Sequence, residues 1–437
     1  MAFFFKKKKK KRCCVVGLDG VPFSLIERFI DEDIMPFMAK LKSDGNLQQM
    51  KVTLPEISSV SWSSFMTGVN PAEHGIFGFM DLKPGTYDMV FPSYPDLKAP
   101  TIWDKLKEKG KKSVVINQPS TYPAKPLNGA MISGFVAINI KKAVYPLALI
   151  SQLETMGYKI DVDTMKARED HDFLIKELYS TLEGRKKALD LLWRTQDWDY
   201  LELVITSTDR LHHFLWEALE DSNHKHHQAF LDYYNAVDGF IREVYERFLD
   251  TAGDADRGSQ FILLSDHGFT GIEQEVYLNK FLEKEGFISY KKDLPESVAD
   301  ISDETKAFVL DPGRIYINVK GKYPRGCVEG GEVEELKRQL KDKLETLEYN
   351  GKKVVNSVFF KEDIYSGKCI DNAPDIVVLS NRGFDLKGSV KKKELFDRTV
   401  LCGMHTWDDA FFWSFKKEKE EMNITDVAGI ILKTFES

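Results

Sequence analysis

Four hydrophobic runs in this 437-residue chain end in side chains that bind metals: VVGLDG at 15–20, LVITSTDRLHH at 203–213, FILLSDHG at 261–268 and CGMH at 402–405. Mixed carboxylate and imidazole donors suit Zn2+ or Mn2+ better than metals selected by soft thiolates. Asp209 and His213 stand four apart, so one helical turn presents both on the same side and makes half of a divalent site. Asp266 and His267 are adjacent. At a strand-to-loop junction they serve either one metal each or one metal from two directions. Asp19 adds a carboxylate at a strand end, and His405 adds an imidazole after the flexible Gly403. The plain alternative for LHHFLW is a helix face in which one histidine is buried and hydrogen-bonded. Only nine histidines are available and three of them are used as ligand candidates here, which weighs toward metal binding.

The stretch PEISSVSWSSFMTG at 55–68 supplies what metals cannot. Ser58, Ser59, Ser61, Ser63 and Ser64 surround Trp62 on a predicted helix. A serine near the helix N-terminus can bind metal and attack phosphorus. A divalent ion lowers the pKa of such a hydroxyl, and the helix N-terminus favours the arriving phosphate. These residue types alone do not choose among the serines, and a serine-rich helix cap is the plain alternative.

The elements that must position these residues follow from hydrophobic periodicity. Residues 13–18 read as a buried strand feeding Asp19, and a helix is expected from Pro22 to about Leu41. Further strands are expected at 113–117, 201–206 and 261–265, with helices at about 101–110, 170–192 and 219–249. This alternation predicts an α/β fold, a mostly parallel sheet covered by helices on both faces, with ligands beyond the carboxyl ends of the strands. The metal-binding side chains fall at those ends. Residues 273–400 hold YLNKFLEKEGF, RIYINVKG, a charged helix at 332–347 and a strand-like DIVVLS at 375–380. They read as an inserted cap that returns the chain to His405. The expected organisation is a basic arm at 1–12, a main domain at 13–272, the insertion at 273–400 and a closing part at 401–437.

An apolar content of 43% is enough for a large core. The net charge of -7 argues against a general nucleic-acid binder, which needs a broad basic surface. Five cysteines without framework spacing favour a reducing compartment. At the N-terminus Phe3 to Phe5 precede Lys6 to Lys11 and Arg12, the reverse of a signal peptide, so a cytoplasmic protein is expected. The basic run reads either as a solvated arm or as a weak peripheral contact with an acidic membrane surface. Oligomeric state leaves no mark on the sequence.

Asp19, the PEISSVSWSSFMTGVNPAEHGI segment at 55–76, TDRLHH, SDHG and GMH, in that order and spacing, resemble the alkaline phosphatase superfamily. The branch is that of type I phosphodiesterases and nucleotide pyrophosphatases, including a predicted phosphohydrolase or phosphomutase group. GRIYINVKG at 313–321 and NAPDIVVLSNRGFDLKG at 372–388 are similar to that last group. The resemblance implies an alkaline-phosphatase-like three-layer α/β/α sandwich and two divalent ions, Zn2+ or Mn2+. It implies Ser58 as nucleophile, nine positions before Thr67. Asp209, His213 and His405 would hold one ion, and Asp19, Asp266 and His267 the other, with the Ser58 oxygen reaching it. His74 would fix its loop. The substrate would be a small phosphorylated compound, a nucleotide or a lipid-headgroup derivative.

One departure bears on the reaction. Many relatives in this branch carry asparagine three residues after the nucleophile, where this chain has Ser61, which donates a single hydrogen bond. Phosphomonoester hydrolysis or a phosphomutase reaction is therefore the alternative to phosphodiester hydrolysis. A sulfatase is disfavoured, because Val60 and Trp62 stand where that branch needs proline and arginine. Ser61, Trp62, Arg210 and Tyr122 of PSTYP are the expected substrate contacts.

Overall fold

The computed structural model describes residues 10–252 and 258–436. Phe3 to Phe5 and the lysines up to Lys9 lie outside the described residues. The end of the basic run that is described is tied down: Lys10 pairs with Asp197 and Asp199, and the Arg12 guanidinium lies over the Trp198 ring at 4.5 Å. Among the described residues no helix is long and apolar enough to cross a membrane.

A nine-stranded sheet organises the molecule. Its order is Met422–Asn423, Asn46–Lys51, Ala410–Ser414, Gln260–Leu264, Cys13–Leu18, Tyr200–Ile205, Ser113–Gln118, Gly129–Ser133 and Val144–Tyr145. The five strands from Gln260–Leu264 to Gly129–Ser133 run parallel. Every residue of Cys13–Leu18 is buried, as a strand covered on both faces requires. Two apolar clusters flank the sheet. Val16, Leu203 and Leu263 lie on one side, Val15, Val204 and Ile262 on the other, as the alternation of side chains along a strand dictates. The expected α/β/α layering is thus observed.

The helix expected over 22–41 is two helices, Phe23–Asp31 and Pro36–Asp44. Asp33 takes a positive φ of 56° between them, and Pro36 opens the second helix, where its missing N–H is no loss. The local sequence offers this second helix no side-chain cap. Asp238, on the helix His227–Ala252, accepts from the N–H groups of Phe37 and Met38 at 2.8 and 2.9 Å instead. The helix expected over 219–249 starts later, as His227–Ala252, and a separate helix, Ser207–Glu220, carries TDRLHH.

A second layer lies within 273–400. A four-stranded antiparallel sheet (Ala307–Leu310, Arg314–Ile317, Ile376–Ser380, Val355–Phe360) and the helix Val333–Leu344 enclose an apolar cluster containing Phe308, Ile315, Leu340 and Ile376. Arg314 joins this layer to the loop after the serine helix. Buried, it donates to Asp81 Oδ1 at 2.5 Å and to the Met80 carbonyl at 2.6 Å. A Cβ at Gly78 would collide with its guanidinium at 2.2 Å, so only glycine admits this contact.

Candidate active site

The parallel strands deliver their carboxyl ends to one place. Cys13–Leu18 runs into Asp19, Tyr200–Ile205 into the helix Ser207–Glu220, and Gln260–Leu264 into Asp266 and His267. His405 arrives from 138 residues further along by direct pairing. The strand Gly403–Thr406 runs antiparallel to Gly268–Gly271, with His405 opposite Phe269. The His267 and His405 rings consequently stack with centroids 3.7 Å apart.

Three imidazoles are oriented by backbone carbonyls. The Nδ1 atoms of His213, His267 and His405 lie 3.0, 3.0 and 2.8 Å from the carbonyl oxygens of Gly403, Gly268 and Glu56. Each Nδ1 therefore carries a hydrogen, and each Nε2, when unprotonated, presents a lone pair. Those lone pairs meet carboxylates. Asp209 Oδ1 lies 3.4 Å from His213 Nε2, 3.3 Å from His405 Nε2 and 4.0 Å from His267 Nε2. His267 Nε2 also stands 3.6 Å from Asp19 Oδ1 and 3.4 Å from Asp266 Oδ2.

Buried Asp209 Oδ1 and Asp266 Oδ2 have no hydrogen-bond partner, and the Nε2 atoms of His213 and His405 face each other at 3.1 Å. Acceptors converging without a donor leave buried polar groups unsatisfied unless a cation lies among them. The electrostatics agree. Burial, and then the charges of Asp266 and Asp209, push the Asp19 carboxyl well up; burial pushes Asp266 up to about 8. Burial works to raise Asp209 as well, but His213, His405 and Arg210 hold it well below the ordinary carboxylate range.

Two groups can hold an ion: Asp209, His213 and His405, and Asp19, Asp209 and His267. Asp209 belongs to both. Asp266, expected in the second set, stands beside it with Oδ1 accepting from the Gly20 N–H at 3.0 Å. The donor chemistry fits two Zn2+ or Mn2+ ions.

Ser58 is the first residue of the helix Ser58–Thr67, and its Oγ lies 3.2 Å from Asp19 Oδ1 and 3.1 Å from His267 Nε2. The other serines of the stretch turn elsewhere. Ser63 donates to the Ser59 carbonyl at 2.6 Å, and Ser64 meets His74 Nε2 at 3.0 Å. His74 Nδ1 accepts from the Ile76 N–H at 3.2 Å, so this histidine ties its loop to the helix. His212 is the buried, hydrogen-bonded member of its pair, bridging the Gly20 carbonyl at 2.9 Å and the Tyr234 hydroxyl at 2.6 Å.

The expected substrate contacts fare differently. Trp62 has no exposed surface, and its indole N–H donates to Asp19 Oδ2 at 3.1 Å, so it supports the site from beneath and cannot stack on a ligand. Ser61 is also fully buried, its hydroxyl without a partner and closed to a substrate. Arg210 is occupied. It grips Asp161 at 2.7 and 3.1 Å and Asp209 at 2.9 Å, and lies 4.4 Å over the Phe135 ring. Tyr122 packs on the main core, its carbonyl accepting from the Tyr94 N–H at 2.8 Å.

Asp161 braces Arg210. Glu56, Phe79, Asp311, Asp385 and Lys387 line a cavity of about 140 Å3 that opens on His213 and His405. Of these, Glu56 falls in the PEISS segment and Asp385 and Lys387 in the NAPDIVVLSNRGFDLKG segment, whereas Asp161 and Asp311 stand in no motif.

Comparison with curated proteins returns no match. Among solved structures, the chain is similar to phosphonoacetate hydrolase from Sinorhizobium meliloti 1021, with a TM-score of 0.62, 15% identity, and 98% of this chain and 96% of that chain covered. It is similar to murine ectonucleotide pyrophosphatase / phosphodiesterase 5, with a TM-score of 0.53, 15% identity, and coverage of 97% and 94%. A mutant of the alkaline phosphatase PafA gives a TM-score of 0.58 at 12% identity, with coverage of 98% and 96%. At such identities these likenesses speak for the fold, which is alkaline-phosphatase-like. Residues 13–408 match the model of the type I phosphodiesterase / nucleotide pyrophosphatase family, and the chain belongs to that family.

Proposed function

We propose that this protein is a metal-dependent phosphoric ester hydrolase that cleaves a phosphodiester with Ser58 as its nucleophile. The observation that carries this reading is the position of Ser58 Oγ, within 3.2 Å of Asp19 Oδ1 and His267 Nε2 at the start of a ten-residue helix. Asp209, His213 and His405 would hold one divalent ion, and Asp19, His267 and Asp266 with Ser58 the other, with Asp209 close enough to serve both. Bound there, the ions would lower the pKa of the serine hydroxyl and stabilise charge on the attacking and leaving oxygens.

The chain's own residues do the rest. As Ser58 loses its proton to solvent, the Oγ–phosphorus bond forms and the bond to the leaving oxygen breaks, that oxygen taking a proton from water. Water then cleaves the phosphoseryl bond and restores Ser58. The helix N-terminus favours the anionic phosphate, and Trp62 and Arg210 fix the carboxylates of Asp19 and Asp209. Substrates of matching chemistry are small phosphodiesters such as nucleotides or lipid-headgroup derivatives. Five free cysteines fit a reducing, cytoplasmic setting.

A second reading, phosphomonoester hydrolysis or phosphoryl return by a mutase, draws support from Ser61, whose buried hydroxyl offers the phosphate no contact. Metal-stripped protein resupplied with Zn2+ or Mn2+ and offered p-nitrophenyl phosphate beside its alkyl and bis-p-nitrophenyl diesters separates the two. Faster diester turnover supports the first reading. Faster monoester turnover replaces it with the second.

A further inference from the structure

The helix Ser207–Glu220 presents two pairs of residues spaced four apart. Asp209 and His213 turn to the candidate metal site. Thr208 and His212, each one position earlier, turn to the loop after the strand Cys13–Leu18. Thr208 Oγ1 donates to the Asp19 carbonyl at 2.6 Å, with the Ile205 carbonyl further off at 3.2 Å. His212 Nδ1 donates to the Gly20 carbonyl at 2.9 Å. Two successive peptide units are thus held from one helix.

The first of these units also aims a carboxylate. Its carbonyl belongs to Asp19 and its N–H to Gly20, and that N–H donates to Asp266 Oδ1 at 3.0 Å. Asp266 Oδ2 is left without a partner, 3.4 Å from His267 Nε2. The plane of the Asp19–Gly20 peptide therefore sets the direction of the Asp266 carboxylate. Gly20 does not hold that plane by itself. Its φ is 69°, and a Cβ would lie 3.1 Å from His267 Cε1 and from the Phe269 ring, so the position favours glycine, the residue with the freest backbone. Thr208 and His212 supply the restraint that glycine lacks.

His212 is itself locked in place. Its Nε2 accepts from the Tyr234 hydroxyl at 2.6 Å, which keeps the hydrogen on Nδ1. Its ring stacks with Phe230 and Tyr234 and meets Phe269 edge-on at 4.9 Å. With no exposed surface and both ring nitrogens engaged, it is not a ligand in waiting.

We propose that Thr208 and His212 are positioning residues for the ion at Asp19, Asp266 and His267. They act through the turn at 19–20, while their neighbours Asp209 and His213 bind metal directly, so one helix builds both halves of the centre. The proposal rests on the two-ion reading and adds to it the residues that aim the second ligand set.

The test is titration calorimetry of Zn2+ into the metal-stripped full chain and its variants. Thr208→Val and His212→Phe each remove a donor and keep most of the volume. Thr208→Ser retains the donor at Oγ, and His212→Asn retains it at Nδ2. Hydrogen bonds that orient metal ligands are worth roughly 10- to 100-fold in affinity. The expected result is a loss of that size for one of two ions in the valine and phenylalanine variants, the other ion being unchanged, with most of the loss recovered in the serine and asparagine variants. Two backgrounds assign the ion. In His213→Ala, which keeps Asp19, Asp266 and His267, adding His212→Phe still weakens the remaining ion; in His267→Ala it has no effect on the ion that remains. The two donors are tested separately, so a variant that fails to fold leaves the other to decide. Equal weakening of both ions, unchanged affinity, or no recovery with serine and asparagine overturns the proposal. Fewer than two ions on the unsubstituted protein overturns the two-ion reading, and the proposal with it.

Discussion

Trp62 donates its indole N–H to Oδ2 of Asp19 at 3.1 Å, so a side chain with no exposed surface aims a carboxylate of the candidate metal site. Gly17 makes room for it: a Cβ there would lie 2.4 Å from the Trp62 ring. Trp62→Phe keeps most of the packing and removes the donor. Hydrogen bonds to metal ligands of this kind are worth roughly 10- to 100-fold in metal affinity. The expected outcome is weaker binding of one of two ions by titration calorimetry, with thermal stability reduced only slightly. Unchanged affinity for both ions would remove Trp62 from the support of the site.

Asp209 Oδ1 belongs to both ligand groups, whereas His213 belongs to one. Asp209→Asn is therefore expected to lower the content of tightly bound metal by two ions per chain, and His213→Ala by one, measured by elemental analysis after gel filtration. Identical losses from the two variants would contradict a shared carboxylate. Chelation of the unsubstituted protein should lower its melting temperature, because ions bound only in the fold stabilise it.

Much of this site is legible in the sequence, for a definite reason. Asp19, Asp209, Asp266 and His267 close or follow apolar runs, and parallel strands bring their carboxyl ends to one edge. His405 is readable as the fourth piece, but its pairing opposite Phe269 is not, because nothing local encodes a partner so distant in sequence. Trp62 misleads for a related reason. A tryptophan among serines suggests a stacking surface, and only the sheet beneath the helix shows which face it occupies. The bracing of Arg210 by Asp161 depends on a segment without motif, and the N-terminus of the Pro36–Asp44 helix is completed by Asp238, some 200 residues away.

That completion has a measurable weight. Loss of a side-chain acceptor from a helix N-terminus typically costs about 1 kcal/mol, up to about 2. Asp238→Ala should lower unfolding stability in urea by that amount with little change in turnover. A loss under a few tenths of a kcal/mol would show that water replaces the carboxylate.

Glu202 lies in a central strand away from the site, accepting from the Tyr200 hydroxyl at 2.5 Å, with Oε1 unpartnered. Burial pushes its carboxyl from 4.5 up to about 8. An acid raised in the folded state is protonated there while ionised in the unfolded chain. Its effect is absent below about pH 4.5, and folding stability falls as pH rises from there through about 8. Glu202→Gln should flatten that decline, with a difference on the order of a few kcal/mol above pH 8 that vanishes in acid. Parallel stability curves for the two proteins across this range would show that Glu202 does not titrate in the folded state as described.

The central claim is that Ser58 forms and releases a covalent bond to phosphorus. The most direct measurement is turnover of a p-nitrophenyl diester by metal-loaded Ser58→Ala protein, with metal content determined on the same sample and the unsubstituted enzyme acid-quenched for mass spectrometry. The account predicts a loss of about a thousandfold or more in kcat. It also predicts that both ions are retained, and that a phosphoryl adduct maps to Ser58 in the quenched enzyme. Turnover that survives the substitution with both ions in place would contradict it.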